Sequence, residues 1–274
     1  MTTGCGRDAA ASCFLPEATL PARDATLADP RLGASGRDLA AALFDRDLPR
    51  AEALLRGDRA LASMKVGAHH DMLIVALATC EPRAVDLLLR HGAPRDGDGD
   101  GLPLGIALMA TDPAFAHALL SAGASPTPPK NPLGPFRTAI TAGSTGGVRM
   151  LLDFHGDPDV ADELGHRPLL LALDTERFRI AELLLDRGAD PWAIDTSGGN
   201  LGTAAYTPMV TADAEEAAAQ RRLRTRLSGL GWPAPPPSPD RIRAMAVERQ
   251  WPPQGANARP VPEGVRRVIA ENAR

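Results

Sequence analysis

Apolar residues recur along this chain in short stripes, each closed by a glycine. Over residues 177–187, Ile180, Ala181, Leu183, Leu184 and Leu185 fall at the spacing of one buried helix face. Gly188 follows, where a left-handed C-cap is wanted. The same ending returns in Leu87-Leu88-Leu89-Arg90-His91-Gly92-Ala93-Pro94, in Leu119-Leu120-Ser121-Ala122-Gly123-Ala124-Ser125-Pro126 and in Leu151-Leu152-Asp153-Phe154-His155-Gly156-Asp157-Pro158. The glycines at 92, 123, 156 and 188 are 31, 33 and 32 residues apart. A second landmark keeps this period: Met72-Leu73-Ile74-Val75-Ala76, Pro103-Leu104-Gly105-Ile106-Ala107, Pro135-Phe136-Arg137-Thr138-Ala139, Pro168-Leu169-Leu170-Leu171-Ala172 and Leu201-Gly202-Thr203-Ala204-Ala205. Proline at its head suits a first helical turn, where the missing N–H is not needed. Each repeat therefore predicts a short inner helix, an amphipathic outer helix and a turn rich in Asp, Gly and Pro. One such pair cannot bury its apolar face alone. Stacked pairs can, which predicts an all-α solenoid of helix-turn-helix units.

The ends are less regular. Residues 37–58 fit a first repeat with a polar outer face, as a cap requires. Leu227-Ser228-Gly229-Leu230-Gly231-Trp232-Pro233 resembles one more repeat ending. Its glycine, Gly231, lies 43 residues after Gly188, which predicts an insertion near 206–217. The domain reading is thus an irregular N-terminal tether over 1–36, a solenoid of about six repeats over 37–233, and a tail over 234–274. In the tail a stiff proline-rich linker at 233–239 precedes short helices at 240–249 and 263–273.

The best repeat runs Asp162-Glu163-Leu164-Gly165-His166-Arg167-Pro168-Leu169-Leu170-Leu171-Ala172-Leu173, then Ile180-Ala181-Glu182-Leu183-Leu184-Leu185-Asp186-Arg187-Gly188-Ala189-Asp190-Pro191. It resembles the ankyrin repeat family: an Asp-x-x-Gly turn, a Thr-Pro-Leu-His-x-Ala helix start and a Leu-Leu-x-x-Gly-Ala end. Arg167 replaces the family's Thr and Leu170 its His, so this repeat lacks the family's usual hydrogen-bonding turn. The resemblance implies short turns or hairpins between repeats. It implies a partner protein bound at turn tips and on the exposed inner-helix face. Here those places fall on Arg95, Asp98 and Asp100, on Glu163, Leu164, His166, Asp174, Thr175 and Arg187, and on Trp192, Thr196 and Ser197. For Trp192 two readings stand: an exposed anchor beside acids, or packing against the insertion.

Composition narrows the function classes. The chain has 274 residues, with 30 Lys+Arg against 34 Asp+Glu and a net charge of −4. That balance argues against a dedicated nucleic-acid binder, and no apolar run of membrane-spanning length occurs. Residues 218–274 carry 11 Arg against 4 acids, so a basic tail follows an acidic body. Scarce aromatics disfavour an all-β fold.

Candidate chemistry is thin. Asp96-Gly97-Asp98-Gly99-Asp100-Gly101 looks like half a calcium loop, but position twelve is Ala107 where a bidentate carboxylate is needed. The repeat turn is the better reading. His69, His70, His91, His117, His155 and His166 show no metal-ligand spacing. His91 and His155 precede the cap glycines, where a His complements the helix end. No Gly-x-Ser-x-Gly elbow occurs, and Gly143-Ser144-Thr145-Gly146-Gly147 has no nearby lysine. Neither catalysis nor a cofactor or metal is expected. No secretory signal is visible as the chain is written, which reads as cytoplasmic. Met1-Thr2-Thr3-Gly4-Cys5-Gly6 also resembles the mature start of a bacterial lipoprotein. A lipid anchor at Cys5 and a periplasmic location thus stay open. Cys13 and Cys80 would then be free to pair; in the cytoplasm they would be incidental thiols.

These readings converge on a protein-binding module, monomeric when free. Degenerate bacterial ankyrin proteins are similar to immunity proteins, so the expected partner is a toxin or effector enzyme with a basic face. The alternative is a regulatory scaffold or a secreted effector that binds a host protein.

Overall fold

The computed structural model describes residues 13–256 and 258–272. Two compact units divide at Thr138/Ala139. Cys5 lies outside the described residues.

The first unit opens with α1 (Arg23–Leu27), then α2 (Gly33–Phe44) paired with α3 (Leu48–Gly57). A two-residue hairpin follows, with β1 (Lys65–Val66) antiparallel to β2 (His70–Asp71). Next come α4 (Met72–Ala78) with α5 (Pro82–Arg90), and α6 (Leu102–Ala107) with α7 (Ala114–Ser121). α8 (Gly134–Thr141) spans the division and is followed by α9 (Thr145–Asp153). The second unit continues with α10 (Pro168–Asp174) and α11 (Phe178–Asp186), then α12 (Leu201–Tyr206) and α13 (Ala214–Gly229), and ends in α14 (Pro239–Val247) and α15 (Glu263–Asn272).

Capping sets these boundaries. Asp71 accepts the Ile74 N–H at 3.1 Å, Ser144 that of Gly147 at 3.0 Å and Asn200 that of Thr203 at 2.8 Å. Proline occupies the first turn of α3, α5, α6, α10 and α14. The outer helices α5, α7, α9, α11 and α13 share one ending. The N–H of Ala93, Ala124, Gly156, Ala189 and Trp232 donates to the carbonyl of Leu88, Leu119, Leu151, Leu184 and Leu227, at 2.8–3.1 Å. The left-handed residue before each donor is Gly92, Gly123, His155, Gly188 and Gly231. This corrects one landmark. His155, at φ 65°, takes the cap position expected of Gly156, because the hydrogen bond counts from Leu151 and not from the nearest glycine.

Two elements occupy the region where the sequence predicts an insertion near 206–217. One is the connection 207–213, and the other is α13, with 16 residues where α11 has 9.

Irregular segments pack on both units. In the first, Phe14 is buried against Phe115, with centroids 5.6 Å apart. The Leu15 N–H donates to Met109 O and the Thr111 N–H to Cys13 O, both at 2.9 Å. Cys13 and Cys80 form a disulfide, with Cα atoms 6.2 Å apart. The reading of these two as incidental thiols is corrected accordingly. In the second unit, residues 233–239 run over α12. A Cβ at Gly202 would overlap the Trp232 ring and come within 2.8 Å of Pro236 Cβ.

Candidate functional site

The turn at 96–101 uses its carboxylates internally. Asp96 accepts the Ser125 N–H at 2.7 Å, Asp98 pairs with Lys65 at 2.6 Å, and Asp100 accepts the Leu102 N–H at 3.0 Å. Lys65 holds the Asp98 carboxyl below its ordinary range. The Lys130 N–H donates to Gly99 O at 2.9 Å. Both lysines of the chain thus lie against this acidic turn. The exposed Arg95 donates to Ala122 O at 3.1 Å. Among the described residues no group of three or more His, Cys, Asp or Glu is arranged to hold a metal ion.

In the second unit two Asp-x-x-Gly turns stand side by side. The Gly165 N–H donates to Asp162 O and the Gly198 N–H to Asp195 O, each at 3.1 Å, with both glycines left-handed. Asp162 also accepts the N–H of Leu164 and His166 and meets His166 Nδ1 at 2.8 Å. Asp195 accepts from Ser197 N, Ser197 Oγ and Gly199 N. Side-chain carboxylates therefore supply the hydrogen bonds of both turns. The Thr196 N–H donates to Leu164 O at 3.1 Å, which joins the two tips.

The structure brings Glu163, Leu164, His166 and Thr196 together, with Glu163 and Leu164 exposed. Asp174 and Thr175 end α10, both exposed, and the Thr175 hydroxyl donates to Leu171 O. Partial burial and then Asp195 push the Asp174 carboxyl above its ordinary range. Arg187 stands apart at the end of α11 and pairs with Asp153 at 2.7 Å. Arg95, Asp98 and Asp100 belong to the first unit.

Trp192 is no exposed anchor. It is only 4% exposed. It stacks on Trp232 at 4.8 Å, meets Trp251 edge-on at 5.5 Å, and its carbonyl accepts the Trp251 indole N–H at 3.0 Å. Its packing partners lie in and before the tail, not in the insertion. The tail also backs the tips: Arg243 donates to Ser197 O, and a Cβ at Gly165 would come within 2.8 Å of Val265. Arg167, 6% exposed, pairs with the buried Asp159. Asp159 and Asp190 in turn engage Arg259.

Sequence reasoning missed the exposed face of residues 206–213. Tyr206 and Val210 project there, and a 230 Å³ groove beside them runs from Leu173 and Asp174 to Thr203 and Thr207. The available signal was Tyr206, Pro208, Met209 and Val210 close together inside a predicted insertion.

No family model and no curated protein matches the sequence. Solved structures do. The chain is similar to the ankyrin repeat domain of Bcl-3, a member of the IkappaB protein family. Identity is 22% over 69% of this chain and 85% of that one, with a TM-score of 0.55. It is also similar to the human ASB11 ankyrin repeat domain, at 18% identity over 85% of this chain and 96% of that one, with a TM-score of 0.53. With the periodic helix pairs, their shared caps and the Asp-x-x-Gly turns, these likenesses establish that the chain has the all-α ankyrin-repeat fold.

Proposed function

We propose that this protein is a protein–protein interaction module that works without catalysis, and that it binds and neutralises a toxin or effector enzyme as an immunity protein. The observation that carries the reading is the joined pair of tips at Glu163–Leu164 and Thr196–Ser197. Their backbones are fixed by internal hydrogen bonds while Glu163, Leu164 and Ser197 remain exposed. A rigid surface of mixed polarity loses little entropy on docking. With Asp174 it favours a basic partner face, steered by charge. The acidic turn at 96–101 adds less than its composition suggests, because lysines neutralise it.

Neutralisation must outcompete substrate, so the complex is expected at nanomolar Kd or tighter, near −12 kcal/mol. The chain acts as a monomer before capture. No helix among the described residues is long and apolar enough to cross a membrane. The Cys13–Cys80 disulfide favours an oxidising compartment over the cytoplasm.

The test is a tagged capture from the native organism, washed at roughly 0.5 M salt to screen weak surface contacts and identified by mass spectrometry. One stoichiometric secreted enzyme or toxin supports the proposal. Many weak partners, or none, refute neutralisation. A neighbouring toxin gene favours immunity, and an isolated gene with a secretion signal favours the effector alternative.

A further inference from the structure

We propose that the connection between α12 and α13, with the groove beside it, is a docking site for a partner protein that presents an arginine or lysine next to an apolar surface. This rests on the interaction-module reading and names the partner's chemistry. The connection is ordered by side chains that bond its backbone. The Glu176 carboxylate accepts the N–H of Val210 at 2.6 Å, the N–H of Thr211 at 2.9 Å and the Thr211 hydroxyl at 2.6 Å. Gln220 donates its amide to Ala204 O at 2.9 Å and to Thr207 O at 2.7 Å. Asp213 closes the far end by accepting the N–H of Glu215 and Glu216 as the cap of α13.

Large apolar side chains stand outside the connection, beside exposed Thr207, Thr211 and Asp213. Val210 is 94% exposed and Tyr206 47%. They are two of the four large apolar residues that stand exposed among the described residues. The Tyr206 ring is itself fixed, 4.6 Å from the Arg224 guanidinium, which donates to Ala205 O. An apolar tip on a connection held by these hydrogen bonds meets a partner with less ordering to lose.

Charge selects the occupant. The 230 Å³ groove is lined by Leu173, Asp174, Phe178, Thr203, Thr207 and Pro208. Asp174 has no arginine or lysine partner among the described residues, and the Asp195 carboxylate acts against its ionisation while His166 favours it. A cation placed at Asp174 would offset both the cost of its partial burial and that repulsion. The aliphatic stem of an arginine or lysine would lie along Leu173 and Pro208, with flanking apolar residues over Tyr206 and Val210.

The test selects a random linear phage-displayed peptide library on the full chain. The enriched peptides are expected to carry an arginine or lysine beside an aromatic or branched aliphatic residue. Affinity of a synthetic consensus peptide is expected to fall about tenfold or more in Asp174→Asn and in Val210→Asp. It should hold in Asp86→Asn, on α5, and all three variants should keep the parent far-UV spectrum. No enrichment, a consensus without a basic residue, or binding indifferent to both substitutions would overturn the site. The salt-washed capture separates the two proposals. A stoichiometric partner retained by Val210→Asp and Asp174→Asn sinks this site and leaves the interaction module standing, whereas absence of any partner and any peptide removes both.

Discussion

Arg46, Cys80 and Glu176 occupy the turn between paired helices at φ 57°, 56° and 54°, where Gly143 stands in the equivalent turn at 66°. A side chain in this left-handed region costs about 1–2 kcal/mol, and each of the three reaches a neighbour. Arg46 donates to Thr79 O, Cys80 forms the disulfide, and Glu176 anchors the connection after α12. Glu176→Gly therefore removes strain and anchor together. The melting temperature should stay level, with a backbone gain of about 1 kcal/mol against the lost exposed bonds. Amide exchange at Val210 and Thr211 should accelerate about tenfold or more, and unchanged exchange would show that the carboxylate is not the anchor. Acid offers a second check. The Thr211 hydroxyl first, then the Val210 and Thr211 N–H groups, hold the Glu176 carboxyl below its ordinary range. A lowered carboxyl stabilises above its unfolded value and ceases to do so as pH falls through its folded value. The Val210 and Thr211 amide resonances should thus hold steady from neutrality to below the ordinary glutamate value of about 4.3. A midpoint at or above that value would contradict the anchor.

At the scale of elements, the tail depends on close approach. Gly202→Ala would drive a Cβ into Trp232 and Pro236. The expected loss is about 1–3 kcal/mol, read as a lower melting temperature with red-shifted tryptophan emission. An unshifted spectrum would mean that the proline-rich segment does not press on α12. Trp251→Ala should loosen α14 and α15 more than added salt does. Trp251 contributes buried ring contacts and an indole bond to Trp192, whereas exposed pairs such as Arg222–Glu182 are worth roughly 0–1 kcal/mol. The measurement is limited proteolysis of residues 239–272 with and without salt; equal cleavage in the variant and the parent would refute it. Sequence periodicity made the helix pairs legible because α5, α7, α9, α11 and α13 end on the same backbone bond, from Leu88 to Leu227. It misplaced the cap at His155, since a glycine one residue on mimicked the signal. It left the tryptophan cluster unread, because Trp192, Trp232 and Trp251 meet across 40 and 59 residues of chain and no local period encodes that. The Asp-x-x-Gly tips were visible as motifs. The exposed connection was not, because its apolar residues follow no helical spacing and its anchor, Glu176, lies in another repeat.

For the molecule as a whole, the uneven charge of the chain is absorbed by folding within the second unit. Arg222 and Arg226 pair with Glu182 and Asp186, and Arg259 with Asp159, so the basic C-terminal segment needs no nucleic acid to explain it. The first unit relies on a different device. Its disulfide joins residues 67 apart in sequence, and chain-entropy arguments give such a link about 4 kcal/mol. It also fixes the backbone beside Phe14, whose ring fills the core against Phe115. Reduction should therefore lower the stability of the first unit. All three tryptophans lie in the second unit, so two probes divide the response. With dithiothreitol, the far-UV circular dichroism transition in urea should begin at lower denaturant, while the tryptophan transition should move less. Cys13→Ala should reproduce the shift without reductant. If reduction leaves both transitions in place, residues 13–15 are held by Phe14 and the backbone bonds to Met109 and Thr111, and the argument for an oxidising compartment loses its physical basis.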